Sequence, residues 1–187
     1  MTRFMRVCVA SLMLICALSA CNSPPVRPHV QETTSQYVRN NAYSLLYQLL
    51  NEEKDVSKLR FIKRENENLK TLIKQVSAAA KAGASQLDEF AKRDPSLALD
   101  QFDLPPGEKQ TRASISKAEE KDLLGNSGGK FELALILSQI DALNYASHLA
   151  KVAGQNDSQN ERIVFLTNLS GEMKNFHDQL VARVKER

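Results

Sequence analysis

The sequence predicts an all-α protein, an antiparallel bundle of four to five helices with one long heptad-patterned helix. Three observations carry that expectation. Apolar residues recur at helical spacings through most of the chain after residue 34, and no strand-type alternation of useful length interrupts them. Trp is absent, and Gly (7) and Pro (6) are scarce among 187 residues, which suits long helices better than many-stranded sheets. Stretches such as "DLPPGEK" and "GNSGG" fall between the periodic segments and read as helix stops. A chain of this length forms one domain with a real core, preceded here by a leader and a tether.

The leader occupies residues 1–20. Arg3 and Arg6 form a positive n-region, and Val7 to Leu18, "VCVASLMLICAL", is the apolar h-region. Small residues Ser19 and Ala20 then lead into Cys21. Charge, length and cleavage-site chemistry together read as a secretory signal peptide. As a helix the h-region spans roughly 18 Å, too short for a comfortable bilayer crossing. All three cysteines, Cys8, Cys16 and Cys21, lie in this segment, so the body has no thiol for a disulfide, a metal or a nucleophile.

"LSAC", residues 18–21, resembles the lipobox of bacterial lipoproteins: a Leu, two small residues and a Cys. The resemblance covers residues 1–21. It implies that the Cys21 thiol receives a diacylglycerol, that a signal peptidase cuts between Ala20 and Cys21, and that the new N-terminus is acylated. Small side chains at 19 and 20 leave the backbone and thiol accessible. One acyl chain gives marginal membrane binding and two or more hold stably, so lipidation converts a soluble body into an anchored one. Asn22 follows the cysteine. In Gram-negative lipoproteins an Asp there commonly retains the protein at the inner membrane, so the resemblance implies an outer-membrane anchor facing the periplasm.

Residues 21–34 form the lipidated Cys and tether. Pro24, Pro25 and Pro28 favour an extended, semi-rigid spacer, and residues 22–34 reach on the order of 40 Å. Formal charge is +3, from 25 basic and 22 acidic residues. Cleavage takes Arg3 and Arg6 from the 25 basic residues and leaves 23 against 22 acidic. That balance argues against nucleic acid as a partner and leaves membrane affinity to the lipid.

The helical domain spans residues 35–187. Thr34 or Ser35 is the expected first N-cap. Val38, Ala42, Leu45, Leu46, Leu49 and Leu50 form the first apolar face, and "NEEKDVSK" thins it, with a break expected near Asp55 to Ser57. Leu59, Asn66, Ile73, Ala80 and Leu87 then recur every seven residues, and Ile62, Leu69, Val76, Gly83 and Phe90 follow three behind. This a/d seam predicts a helix over 58–93, roughly 54 Å long. Asn66 is either a register-fixing seam residue or a solvated residue near a helix end. The small residues of "SAAAKAGAS" permit close approach of another helix, and Asp94-Pro95 ends this one.

Leu97, Leu99, Phe102 and Leu104 are expected to cover one end of the bundle. A third helix is predicted from about Glu108 to Leu124, with Ala113, Ile115, Ala118 and Leu123 as its apolar residues. The fourth, "KFELALILSQIDALNYASHLAKVA", is the most apolar and should be central. Its expected seam is Phe131, Leu135, Ser138, Ala142, Tyr145, Leu149 and Val152, widened by Leu133, Ile136, Leu137 and Ile140. Asp157 or Ser158 should cap the last helix, whose face is Ile163, Leu166, Leu169, Met173, Phe176, Leu180 and Val184.

Few residues suggest chemistry. Asp141 and His148 are seven apart and share one helix face, and Glu172 and His177 lie on the last helix; these four are the weak metal candidates. In helix count the body resembles ferritin-like bundles, which implies a metal or small-ligand site. It departs from them in lacking any Glu-x-x-His pair, the spacing that places carboxylate and imidazole on one face. No Gly-x-Ser-x-Gly elbow, phosphate-binding Gly-rich loop or HExxH is present. The expected protein is thus a non-enzymatic, lipid-anchored envelope adaptor, scaffold or assembly factor. Its partners would be membrane lipid through Cys21 and a protein or a second copy of itself, with no cofactor beyond the covalent lipid. A ferritin-like metal- or small-ligand-binding bundle is the alternative.

Overall fold

The structure, a computed structural model, describes residues 33–61 and 66–186. The signal peptide, the cleavage site at Ala20 and Cys21, and nearly all of the tether lie outside the described residues. So does part of the predicted seam, including Ile62. In chain order the elements are α1 (Thr34–Glu53), a 3-10 helix (Val56–Phe61), α2 (Glu67–Arg93), α3 (Pro106–Gly125), α4 (Gly128–Gln155) and α5 (Asn160–Lys185). The protein is all-helical, as the periodicity predicts, with no strand among the described residues. No described helix is long and apolar enough to cross a membrane.

The α1 cap is Thr33, one residue before the expected position. Gln36 stands three residues on and completes a capping box: the Gln36 N–H donates to Thr33 Oγ1 at 3.3 Å, and the Thr33 N–H to Gln36 Oε1 at 3.0 Å. The buried stripe of α1 runs Arg39, Tyr43, Leu46, Leu50. Its polar members are buried because they satisfy the backbone of the α2–α3 loop. Arg39 Nη2 and Asn40 Nδ2 donate to the Ser96 carbonyl at 2.9 and 3.1 Å, and Ser44 Oγ donates to that of Ala98 at 3.1 Å. Leu97 is thereby buried at the end of the core, as expected, while Phe102 stays exposed.

The expected break after α1 is present at Lys54 and Asp55. The single helix predicted over 58–93 is shorter, however. Residues 56–61 form the 3-10 turns, and α2 begins at Glu67. Asn66 explains the start: its side chain accepts the Asn68 N–H at 2.9 Å, and its own N–H donates to Glu132 Oε1 at 2.6 Å. Asn66 is thus a helix cap, not a seam residue. From there the seam holds: Leu69, Ile73, Val76, Ala80, Gly83, Leu87 and Phe90 are all buried. The seam closes within the chain, against α1 and α5. Gly83 is the closest approach, since a Cβ there would lie 3.1 Å from Leu50 Cδ1 and 3.4 Å from Leu169 Cδ1.

Helix α4 is central as predicted, packing against α1, α3 and α5. Of the expected face, Phe131, Leu135, Ile136 and Leu149 are buried, but the rest of the stripe is phased differently: Gln139, Leu143, Ala146, Ala150 and Ala153 are buried, and Leu133, Leu137 and Val152 are exposed. Packing α1 on one side and α5 on the other accompanies this phase, and small residues let α5 come close: Ser147 and Ser170 exchange hydrogen bonds, and a Cβ on Gly154 would lie 3.4 Å from Leu166 Cβ. Helix α5 buries Leu166, Leu169, Met173, Phe176 and Leu180 as expected, but its cap is Gln159. Asp157 is occupied elsewhere. Both of its oxygens accept from Arg162, at 2.7 Å each, and Oδ2 also accepts the Tyr43 hydroxyl at 2.7 Å. Arg162, 5% exposed, also donates to Asp94 Oδ2 at 2.6 Å. Phe90 and Phe165 meet edge-to-face beside this cluster, with centroids 5.4 Å apart.

Helix α3 is the exception. It spans nearly the residues expected, yet none of them is buried. Leu123 is half-buried against the core, while Ile115 and Leu124 are 53% and 52% exposed. The helix is pinned mainly by Arg112, which donates to the Tyr145 hydroxyl at 2.8 Å and lies 5.0 Å over its ring.

Two substitutions and one control test this packing by urea denaturation. Arg162→Met leaves Asp157 and Asp94 without their cation and is expected to lower stability by roughly 3–5 kcal/mol; a loss below about 1 kcal/mol would contradict the role assigned to Arg162. Gly83→Val forces Leu50 and Leu169 aside and should lower stability by about 1–3 kcal/mol. Gly171→Ala, which meets nothing within 4 Å, should instead be neutral or stabilising.

Candidate functional site

A hollow lies where α3 leaves the core uncovered. It is a cavity of about 820 Å³ between the end of α1, the 3-10 turn, α3 and α4. Each wall follows from local sequence. The end of α1 contributes Leu49, Glu52 and Glu53 before the chain turns at Lys54. Helix α4 contributes Gln139 from its buried stripe, with Asp141 and Tyr145 beside it. Helix α3 contributes Arg112, Ile115 and Glu119.

Gln139 and Glu53 form the floor. The Gln139 side chain is 3% exposed, and its Nε2 donates to Glu53 Oε2 at 2.7 Å. Its Oε1 is buried without a hydrogen-bond partner, the only side-chain atom so left among the described residues. Burial pushes the Glu53 carboxyl up to about 7; the Gln139 hydrogen bond opposes the rise, and the charges of Glu52 and Glu119 add to it. The Glu119 carboxyl is raised as well, by burial and then by Asp141. Among the described residues Arg112 is the one basic residue of the lining, and it is engaged by Glu108 Oε1 at 2.7 Å as well as by Tyr145. The cavity's described lining is therefore apolar in its walls, acidic in its charge, and furnished with a buried acceptor that no protein donor reaches.

The residues singled out from sequence scatter. Cys21 and Ala20 lie outside the described residues. Asp141 lines the cavity just described. His148 and His177 come together in a different, smaller hollow between α4 and α5, with Lys151 and Lys174. There His177 Nδ1 contacts Asp178 Oδ1 at 2.9 Å, and Lys174 pairs with the same carboxylate at 2.7 Å. Glu172 is exposed on α5. No three His, Cys, Asp or Glu side chains converge among the described residues. Sequence reasoning missed Glu53 and Gln139. The available signal was Gln139 itself, an amide four residues from both Leu135 and Leu143 on an apolar helix.

The chain matches no family model, no curated protein and no solved structure. The reading of the cavity rests on its own geometry.

Glu53 gives the cavity a pH signature. In the folded protein its carboxyl keeps its proton up to about pH 7, whereas in the unfolded chain it releases it near the ordinary value of 4.5. Between those values the folded state binds the extra proton, so stability is greatest below the window and falls as pH rises through it, by on the order of 3 kcal/mol. Glu53→Gln should abolish that decline, narrowing the gap between melting temperatures at pH 5 and pH 8. A variant whose decline matches the parent's would refute the assignment.

Proposed function

We propose that this protein is a lipid-anchored envelope lipoprotein, an antiparallel helical bundle that serves as a non-enzymatic adaptor or assembly factor for a protein partner. The observation that carries the anchor is "LSAC" at 18–21, placed directly after the apolar run Val7 to Leu18. Cys21 is the lipidated residue in this reading, cleavage falls after Ala20, and Asn22 directs the anchor to the outer membrane, facing the periplasm. The prolines of residues 22–34 then hold the body off the lipid surface.

The adaptor half of the reading draws support from α3. The described part of the α2 seam, Leu69 to Phe90, is used up inside the chain. Helix α3 is the element the core holds least: none of its twenty residues is buried, and its exposed apolar residues Ile115 and Leu124 border the hollow against α1 and α4. Apolar residues on an otherwise polar helix are what a partner helix or groove takes up.

The anchor is tested by metabolic labelling with palmitate and flotation of cell membranes. The parent protein should take up label and float with outer-membrane fractions, and Cys21→Ala should do neither. A Cys21→Ala protein that floats and labels like the parent would overturn the anchor. For the adaptor, a photo-crosslinking residue at Ile115 in the native envelope should yield one recurrent partner, lost with Cys21→Ala. Recovery of lipid or self-adducts alone would count against it.

A further inference from the structure

We propose that the cavity between α1, α3 and α4 is a binding site for a small primary amine, with the ammonium group seated on Gln139 and Glu53 and the apolar body against α3. The inference is independent of the anchor; it shares Ile115 of α3 with the adaptor reading, and its own test turns on the cavity floor.

The floor sets the polarity of the ligand. Gln139 Oε1 is buried and unpartnered, and leaving such an acceptor unfilled costs about 1–3 kcal/mol. Its Nε2 is already spent on Glu53. What remains open there is acceptor capacity, on the amide oxygen and on the carboxylate, so the ligand must donate hydrogen bonds. An ammonium carries three donors and no acceptor.

The surrounding charge selects the sign. Glu52, Glu119 and Asp141 share the lining with Glu53, and Arg112 is turned to Glu108 and Tyr145. Among the described lining residues, carboxylates outnumber the single guanidinium, so an anion meets repulsion. A cation relieves it, and it stabilises the ionised form of Glu53, whose carboxyl burial otherwise holds partly protonated near neutral pH. Among the described residues no three carboxylate or imidazole groups converge there, the arrangement a bare divalent metal takes.

The walls set the rest. Leu49, Val56, Ile115 and Leu123 give the cavity apolar sides. At about 820 Å³ it falls within the size range of small-molecule sites. A ligand with one ammonium and a compact hydrocarbon body satisfies both parts of the surface.

The test uses the full-length protein in detergent and titrates it calorimetrically with cyclohexylammonium chloride. Cyclohexanol serves as the neutral isostere, which partitions into micelles and apolar walls but lacks the charge. Saturable one-to-one binding is expected for the amine, at least tenfold tighter than for the alcohol and weakened by added salt. Gln139→Leu removes the acceptor at nearly constant shape, together with the hydrogen bond to Glu53, and should lower amine affinity at least tenfold, with retention of the fold checked by a cooperative melt. Ile115→Trp fills the cavity from a helix with no buried residue, so the core is untouched; it too should lower affinity at least tenfold. Absence of saturable amine binding, equal affinity for amine and alcohol, or amine binding retained in both variants would overturn the proposal.

Discussion

A single buried guanidinium organises one end of this protein. Arg162 sits at the start of α5 and ties together Asp94 at the end of α2, Asp157 in the α4–α5 turn and, through Asp157, Tyr43 of α1. The electrostatics agree with the geometry. The Ser96 hydroxyl and then Arg162 hold the Asp94 carboxyl down at about 2. Burial opposes ionisation of Asp157, but Arg162 and the Gln159 N–H keep it below the usual carboxylate range. Burial, with the neighbouring Asp157, pushes the Tyr43 phenol well above its ordinary value. Buried ion pairs of this kind contribute little net stability relative to apolar replacements. What Arg162 supplies is registration, because only one placement of three helices and a turn satisfies all of its donors. The Phe90–Phe165 contact and the Arg93–Glu161 pair reinforce the same end.

Away from that end, constraint fades. Helix α3 follows a loop clamped by Arg39, Asn40 and Ser44, yet it buries no side chain of its own. Its order depends on intrinsic helix propensity, Leu123 and the Arg112–Tyr145 contact. Little apolar area is lost when such a helix moves, so local opening is cheap compared with global unfolding. The cavity lies under the one helix that the core does not hold. A rigid frame on three sides and a lightly held fourth wall let a ligand enter without disturbing the core.

The sequence revealed the elements better than their phase. The α2 seam was legible because Leu69 to Phe90 keep an unbroken repeat, and the stop at Asp94-Pro95 is local chemistry. The α3 span was legible from its flanking prolines and glycines. The phase of α4 was not, because apolar residues cover most of its circumference and several stripes fit equally well. Placing Ser138 in the seam instead of Gln139 turned the helix by one residue and hid the floor of the cavity. Glu53 was invisible for a different reason: its burial arises from helices distant in sequence, and nothing in "NEEKD" marks which acid turns inward.

A common thread runs through the residues that sequence reading passed over. Arg39 precedes Tyr43, Leu46 and Leu50 at 4, 7 and 11 residues, and Arg162 precedes Leu166, Leu169 and Met173 at the same spacings. Gln139 stands between Leu135 and Leu143. Each is a polar residue in phase with an apolar stripe, and each is buried. Phase therefore locates buried polar groups, and partnership then separates their roles. Arg39 reaches the Ser96 carbonyl and the Asn40 amide, and Arg162 reaches two carboxylates; both lie in the clamped part of the body, where a satisfied polar network fixes one arrangement. Gln139 is only half satisfied, and it lies where the packing opens into a cavity. A half-satisfied group in a sealed core is a plain defect, but the same group on the floor of an accessible hollow is a place where a donor gains more than it would in water. The contrast between Arg162 and Gln139, alike in phase and opposite in partnership, is the physical ground for treating one as scaffold and the other as site.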